Sequence, residues 1–222
     1  MAGLTTFPTT VPKLNDLLLG TEIKENGNIT RNFRIGEVLA LMGNTGLTPV
    51  TVNYGLFSQT EDSQNITNTT TTRTLSRSGV GSQIIAANSL AIGNSFNIRA
   101  AGPLSCLGAT GLTISVVNSV GVVLATTGAI SMQTATIKNW SINANLTIRK
   151  TGAAGVADII TGGEFVYSKN GSAVPETVPF LFNNNATFDT TVPNTIIVTA
   201  AWSTASTSNS IYSSMYNFTK TY

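Results

Sequence analysis

The sequence has no histidine, a single cysteine and few charges, with 12 Lys and Arg and 10 Asp and Glu among 222 residues. Without histidine, the commonest acid–base side chain and metal ligand is missing. Ser–His and Cys–His nucleophile arrangements are excluded with it. One thiol cannot assemble an ordinary zinc or iron–sulfur site. Cys106 can form no internal disulfide, and between Leu104 and Leu107 it reads as a small buried hydrophobe rather than a reactive thiol. The formal net charge is +2 and the basic residues are scattered, Arg31/Arg34, Arg73/Arg77 and Arg149/Lys150 being the nearest to clusters. A nucleic-acid groove needs several phosphate contacts converging on one face, so these read as solvated surface residues and no nucleic-acid partner is expected. No apolar run approaches the roughly 20 residues of a membrane helix. The start Met1-Ala2-Gly3-Leu4-Thr5-Thr6-Phe7-Pro8 lacks the basic and apolar regions of a secretory signal. The expectation is no membrane partner, with synthesis and assembly in a cytoplasm-like compartment.

What the chain does have is Thr, Ser and Asn where charges usually stand. Charged residues are 10% of the total, against about 25% in ordinary soluble domains. Thr, Ser and Asn solvate a surface without charge, and the branched Cβ of Thr favours pleated strands. Alternation is frequent. Trp140, Ile142, Leu146 and Ile148 share one parity, and Ser141, Asn143, Asn145 and Thr147 the other, as in a strand with one dry and one wet face. Ile196, Val198, Ala200 and Trp202 repeat the pattern, as do Phe96, Ile98 and Ala100, Ile114 and Val116, and Phe165 and Tyr167. Gly and Asn clusters punctuate these runs at Gly79–Ser82, Gly93-Asn94, Gly152/Gly155, Gly162-Gly163, Lys169–Ser172 and Asn183–Asn185, each read as a turn. Many short strands between such turns predict an all-β sandwich or barrel. The polar run between Gln64 and Arg77 reads as an edge strand or loop, because its two faces are alike and register is weakly specified.

Residues 1–49 differ from the rest. Pro8 and Pro12 punctuate an extended start, and Leu17-Leu18-Leu19 runs to Gly20. Asn26-Gly27-Asn28 is a tight-turn signal, after which Ile29–Ile35 can pair back as a hairpin strand. Ile35, Val38, Leu39 and Met42 stand at helical spacing before Gly43, so a small helix is expected there, too short to be stable alone. Gly43–Pro49 then reads as a linker. The expected organisation is an N-terminal segment, 1–49, and a β-sandwich domain, 50–222.

The remaining catalytic option is a pair of carboxylates, as glycosidases use. Asp158 and Glu164 flank Gly162-Gly163, and Glu61-Asp62 are adjacent. The low aromatic content, 7%, argues against the sugar-stacking platforms such a groove normally has. Glu61, Asp62 and Asn65 lack the D-x-D-x-D-G run of an EF-hand calcium loop, and neither G-x-G-x-x-G nor a phosphate-binding P-loop is present. No catalytic, cofactor-binding or metal-binding residue is therefore assigned, and the chain is expected not to be an enzyme. Sequons at Asn28, Asn65, Asn139, Asn145, Asn170, Asn185 and Asn217 are expected by chance in so Asn- and Thr-rich a chain. Trp140 and Trp202, on dry parities, are read as core rather than as a carbohydrate platform. Ser210–Phe218 carries apolar residues on both parities, which suggests a strand whose second face a neighbouring subunit covers.

Phe7-Pro8-Thr9-Thr10-Val11-Pro12-Lys13-Leu14-Asn15-Asp16-Leu17-Leu18-Leu19-Gly20-Thr21, followed by Asn32–Leu41, resembles the attachment segments of phage tail-fibre and head-appendage proteins. From Leu56-Phe57-Ser58-Gln59-Thr60 onward the chain resembles a β-sandwich domain of virion surface proteins of phages and large DNA viruses. Gly93-Asn94-Ser95-Phe96, Leu146-Thr147-Ile148-Arg149, Phe188-Asp189-Thr190-Thr191 and Asn209-Ser210-Ile211 carry that likeness. The resemblance implies a jelly-roll-like fold, homo-oligomeric assembly and display on a virion, and transfers no catalytic residue. The change from a short Pro-bounded segment, unable to fold alone, to a self-sufficient sandwich leads to the expectation of a capsid- or tail-attached appendage, with residues 1–49 docking onto major capsid or tail proteins and the sandwich forming a trimer in preference to a pentamer. Two alternatives stand beside it: a single jelly-roll capsid subunit, pentameric at a vertex, and a glycan-binding module using Trp and Asn/Thr loops against host surface glycans.

Overall fold

The computed structural model of the chain describes the backbone of Leu17–Glu22 and Ile29–Arg34, and residues 54–222 apart from position 119. The chain divides into two compact units, Met1–Val52 and Asn53–Tyr222. In the first, β1 (Leu17–Glu22) pairs antiparallel with β2 (Ile29–Arg34), Leu17 opposite Arg34 and Glu22 opposite Ile29. This is the hairpin that Asn26-Gly27-Asn28 predicts. The helix expected at Ile35–Met42, the linker after it and the Pro-punctuated start lie outside the described residues.

The second unit is all-β. Its strands are β3 (Tyr54–Gln59), β4 (Ile66–Thr67), β5 (Arg73–Thr74), β6 (Gly79–Gly81), β7 (Ile84–Ile85), β8 (Ser95–Cys106), β9 (Gly111–Val117) and β10 (Val123–Ser131). They continue with β11 (Ala135–Lys150), β12 (Asp158–Tyr167), β13 (Glu176–Asn184), β14 (Asn194–Thr195), β15 (Ile197–Trp202), β16 (Ser210–Ile211) and β17 (Met215–Lys220). A large antiparallel sheet runs β13-β12-β11-β8-β17-β3-β6, with β16 pairing β8 and β4 beside it. A second sheet runs β10-β9-β15-β5, and β7 and β14 form a small ladder. The polar run after Gln64 supplies the edge strand β5, anchored by Leu75, which is fully buried.

One continuous core joins the two larger sheets in a sandwich-like arrangement, built from the parities that the sequence marks as dry. Phe96, Ile98, Trp140, Ile142, Leu146, Phe165, Tyr167 and Phe218 come from the large sheet, and Leu112, Ile114, Val116, Val198 and Trp202 from the small one. Trp202 reaches across to donate its indole N–H to the carbonyl of Ile66 at 3.0 Å, and the Tyr216 hydroxyl donates to the carbonyl of Ile196 at 3.2 Å. These bonds satisfy polar tips that burial would otherwise strand. At the sheet edge, β13 carries Pro179, a residue that sheets tolerate at edges because its missing N–H breaks the ladder.

Three local readings are corrected. Gly162-Gly163 is not a turn but the middle of β12. A Cβ on Gly163 would stand 2.0 Å from the carbonyl oxygen of Asn143, so this glycine permits close strand approach. Gly79–Gly81 is likewise a short strand, β6, in which a Cβ on Gly81 would stand 2.1 Å from the Leu56 carbonyl oxygen. Finally, Ser210–Phe218 is not one two-faced strand. It breaks at Tyr212–Ser214 into β16 and β17, and the buried parity changes across the break: Ile211 before it, Tyr216 and Phe218 after it. The jog accounts for apolar residues on both parities within the chain. By contrast, Lys169–Ser172 does lie in the β12–β13 connection, a hairpin whose strands meet again at Tyr167 and Glu176.

Candidate functional site

The outer face of the large sheet is set by alternation: each strand that buries its even residues in β8, β11 and β17 turns its odd ones away from the core. Register then aligns those odd residues. Asn143 of β11 lies opposite Arg99 of β8, Arg99 opposite Asn217 of β17, and Asn217 opposite Ser58 of β3. One row along, Asn145 faces Asn97 and Asn97 faces Thr219; beyond that, Thr147 faces Ser95. The result is a polar lattice four strands wide, assembled from residues up to 159 positions apart.

Its side chains hold one another. Asn97 Nδ2 donates to Asn143 Oδ1 at 2.7 Å and to Asn145 Oδ1 at 2.9 Å. Ser58 Oγ donates to Asn217 Oδ1 at 2.9 Å, and the hydroxyls of Ser95 and Thr147 are 3.1 Å apart. Asn97, Arg99, Asn145, Asn217, Thr219 and Thr221 line a depression of about 470 Å³, open to solvent. Sites for small ligands span about 300–1,000 Å³. Arg99 is exposed, and among the described residues no carboxylate lies within ion-pair distance of it. Glu164 of β12 stands in the same row on the other side of Asn143, so charge within the lattice is nearly balanced.

A second concavity, about 640 Å³, lies toward the other end of the same sheet and is more apolar, with Pro103, Val166, Pro175 and Met215 in its wall. Trp140 underlies it but is itself buried, its indole N–H donating to the carbonyls of Pro103 (3.1 Å) and Tyr212 (3.0 Å) and its ring centroid 6.0 Å from that of Phe165. Both tryptophans are thus core, as their parity predicts. Neither indole therefore offers an exposed stacking surface, and the amides of this sheet come from strand faces.

Asp158 and Glu164 do not converge. They lie on one face of β12 six residues apart, about 20 Å along an extended strand, beyond the 5–9.5 Å that glycoside hydrolysis requires. Glu61 pairs with Arg77 at 3.3 Å rather than with Asp62 and Asn65 around a cation. Among the described residues, no three of Cys, Asp and Glu are grouped as metal ligands. Burial pushes the Cys106 thiol up, and its Sγ donates to the carbonyl of Gln133 at 3.3 Å, so it is held protonated and weakly nucleophilic. Burial likewise raises Tyr167 and Tyr216. Asp189 is lowered because the Thr191 hydroxyl and N–H both donate to its carboxylate, an exposed turn motif.

The Gly93–Phe96, Phe188–Thr191 and Asn209–Ile211 stretches build turns and strand ends of the fold. Gly93-Asn94 turns into β8, with Asn94 Oδ1 accepting from the N–H of Ala91 at 3.1 Å. Phe188 is buried, and Thr190 clamps the Gly152 turn through its hydroxyl at 2.8 Å. Asn209 is buried and donates to the carbonyl of Thr204 at 3.0 Å. No protein-family model and no curated protein sequence matches the chain.

Proposed function

We propose that this chain is a structural protein of a virus particle, an appendage or decoration attached to the capsid or tail and displayed as a homo-oligomer, with a jelly-roll sandwich as its body. The observation that carries the reading is a pairing order. Take β3, β5, β8, β9, β10, β11, β15 and β17 as strands one to eight. The large sheet then runs 1-8-3-6 and the small sheet 2-7-4-5. That is the order produced when one long hairpin is wrapped on itself into two nested Greek keys, the jelly roll that recurs in viral capsid and lectin domains. Here β12 and β13 widen the first sheet as an excursion between strands six and seven.

A fold hosts many activities, so the reading needs a second support. It comes from the division of the chain at Val52/Asn53 and from the N-terminal resemblance to attachment segments. A two-stranded ladder such as β1–β2 is marginal alone in water, whereas Asn53–Tyr222 has a continuous core of its own. In this reading residues 1–49 dock onto a capsid or tail protein and the sandwich projects as a trimer on the virion. The test is light scattering on the full chain and on a chain lacking residues 1–49, together with particle incorporation of each. A trimer that survives the deletion while incorporation is lost supports the appendage. Unchanged incorporation refutes the docking role, and a pentamer points to a jelly-roll vertex subunit instead.

A further inference from the structure

We propose that the polar depression centred on Asn97 is an oligosaccharide-binding site. The inference deepens the display reading only in placing the ligand on a host surface; the site itself stands on the geometry of the sheet.

The hydrogen-bond balance of the lattice points to a ligand rich in hydroxyls. Both amide protons of Asn97 are committed, one to each of Asn143 Oδ1 and Asn145 Oδ1. That fork leaves the amide NH₂ groups of Asn143 and Asn145 without an acceptor among the described residues. Asn217 is in the same condition, its Oδ1 engaged by Ser58 and its NH₂ unengaged among the described residues. Two of these amide donors, Asn145 and Asn217, and the Arg99 guanidinium therefore line one depression, with Asn97 Oδ1 among them as an acceptor. Arg99 and Asn97 on β8 stand one strand spacing, about 4.8 Å, from β11 on one side and β17 on the other, so the donors of Asn145, Arg99 and Asn217 spread over a width that spans more than one hydroxyl of a sugar rather than a single vicinal pair. Because the Asn97 fork and the Ser58 contact orient the amides beforehand, little side-chain entropy is lost when a ligand binds.

Other ligand classes fit less well. The lining residues are all polar or charged, with no large apolar side chain to anchor an apolar peptide face. Arg99 is the single cation of the lining and Glu164 stands two strands away, so a polyphosphate or nucleic-acid backbone would find too little positive charge. Arg99 and the amides together instead form the mixed donor–acceptor surface that a largely neutral glycan requires.

The experiment applies the full-length protein to an array of bacterial and eukaryotic surface oligosaccharides, and measures the strongest binder by calorimetry. Arg99→Gln and Asn145→Ala, both at exposed positions, should each weaken binding about tenfold, the effect of one well-formed hydrogen bond. Asn97→Ala should weaken it more than either, because it releases two amides at once. Thr177→Ala, exposed on β13 outside the depression, should change nothing, and all variants should keep the wild-type melting temperature apart from a small loss for Asn97→Ala. Failure of the wild type to bind any oligosaccharide overturns the proposal, as does binding that survives Arg99→Gln combined with Asn145→Ala. Oligomer mass and particle incorporation are separate readouts: their failure would remove the display reading and leave a measured glycan site intact, and the converse holds equally.

Discussion

Replacing Tyr216 by phenylalanine should make the protein less stable at neutral pH and more stable in strong alkali. Tyr216 is fully buried on β17, with its ring edge-on to Phe57 at 6.0 Å and its hydroxyl donating to the Ile196 carbonyl at 3.2 Å. Removing the hydroxyl deletes that bond, at a cost of about 0.5–1.5 kcal/mol. Burial also holds the phenol protonated well above its ordinary value. Above about pH 10 the unfolded chain's tyrosine ionises while the folded one does not, so the folded state carries one proton more. The stabilisation is thus complete below about pH 10 and is lost as the pH rises, by about 1.4 kcal/mol per unit. Tyr216→Phe has no such group. With a starting deficit of about 1 kcal/mol, its stability should meet that of the wild type near about pH 11 and exceed it beyond. Tyr167 and Cys106 are raised in the same direction, but both proteins contain them and they cancel in the difference. Urea titrations followed by the fluorescence of Trp140 and Trp202, repeated in steps from pH 8 into strong alkali, give the two curves. Parallel curves with no crossing would refute the argument.

Two further outcomes follow from the packing. Gly163→Ala places a Cβ 2.0 Å from the Asn143 carbonyl oxygen and 2.9 Å from Ala144 Cα, backbone atoms that cannot turn aside. It should cost about 3 kcal/mol or more or abolish soluble expression. Gly162→Ala meets Leu181 Cδ1 at 3.1 Å, the end of an exposed side chain, and the Phe180 carbonyl oxygen at 3.9 Å, an ordinary contact, and should fall within about 1 kcal/mol of the wild type; equal effects in urea titrations would mean β11 and β12 are not so closely paired. Trp140→Ala should lower stability by about 3–5 kcal/mol, read from the urea midpoint. A near-zero change would place the indole on the surface and return it to the list of ligand platforms.

Legibility differed between the core and the site. The core could be read because alternation is local: a strand that buries Trp140 must also bury Ile142, Leu146 and Ile148, whatever it pairs with. Glycine was read less well. Gly162-Gly163 has the composition of a turn, and only the approach of Asn143 shows that the residues lie mid-strand. In the same way, the double parity of Ser210–Phe218 concealed a jog at Tyr212–Ser214 that no local pattern marks. As for the candidate site, Asn143 and Asn145 were visible as the wet side of one strand. The spacing that makes them a lattice depends on Asn97 and Asn217, which lie 46 residues before Asn143 and 74 after it and arrive by strand pairing.

The sequence by itself determined that the second unit would be an all-β protein with little charge and no histidine chemistry, because composition and alternation act residue by residue. It also marked which parities would be dry. Tertiary structure alone decided which wet faces became neighbours, since register between strands far apart in the chain depends on the packing of the whole core and on no short motif. The amide lattice, the loss of convergence between Asp158 and Glu164, and the order of strands in the two sheets all belong to that second class.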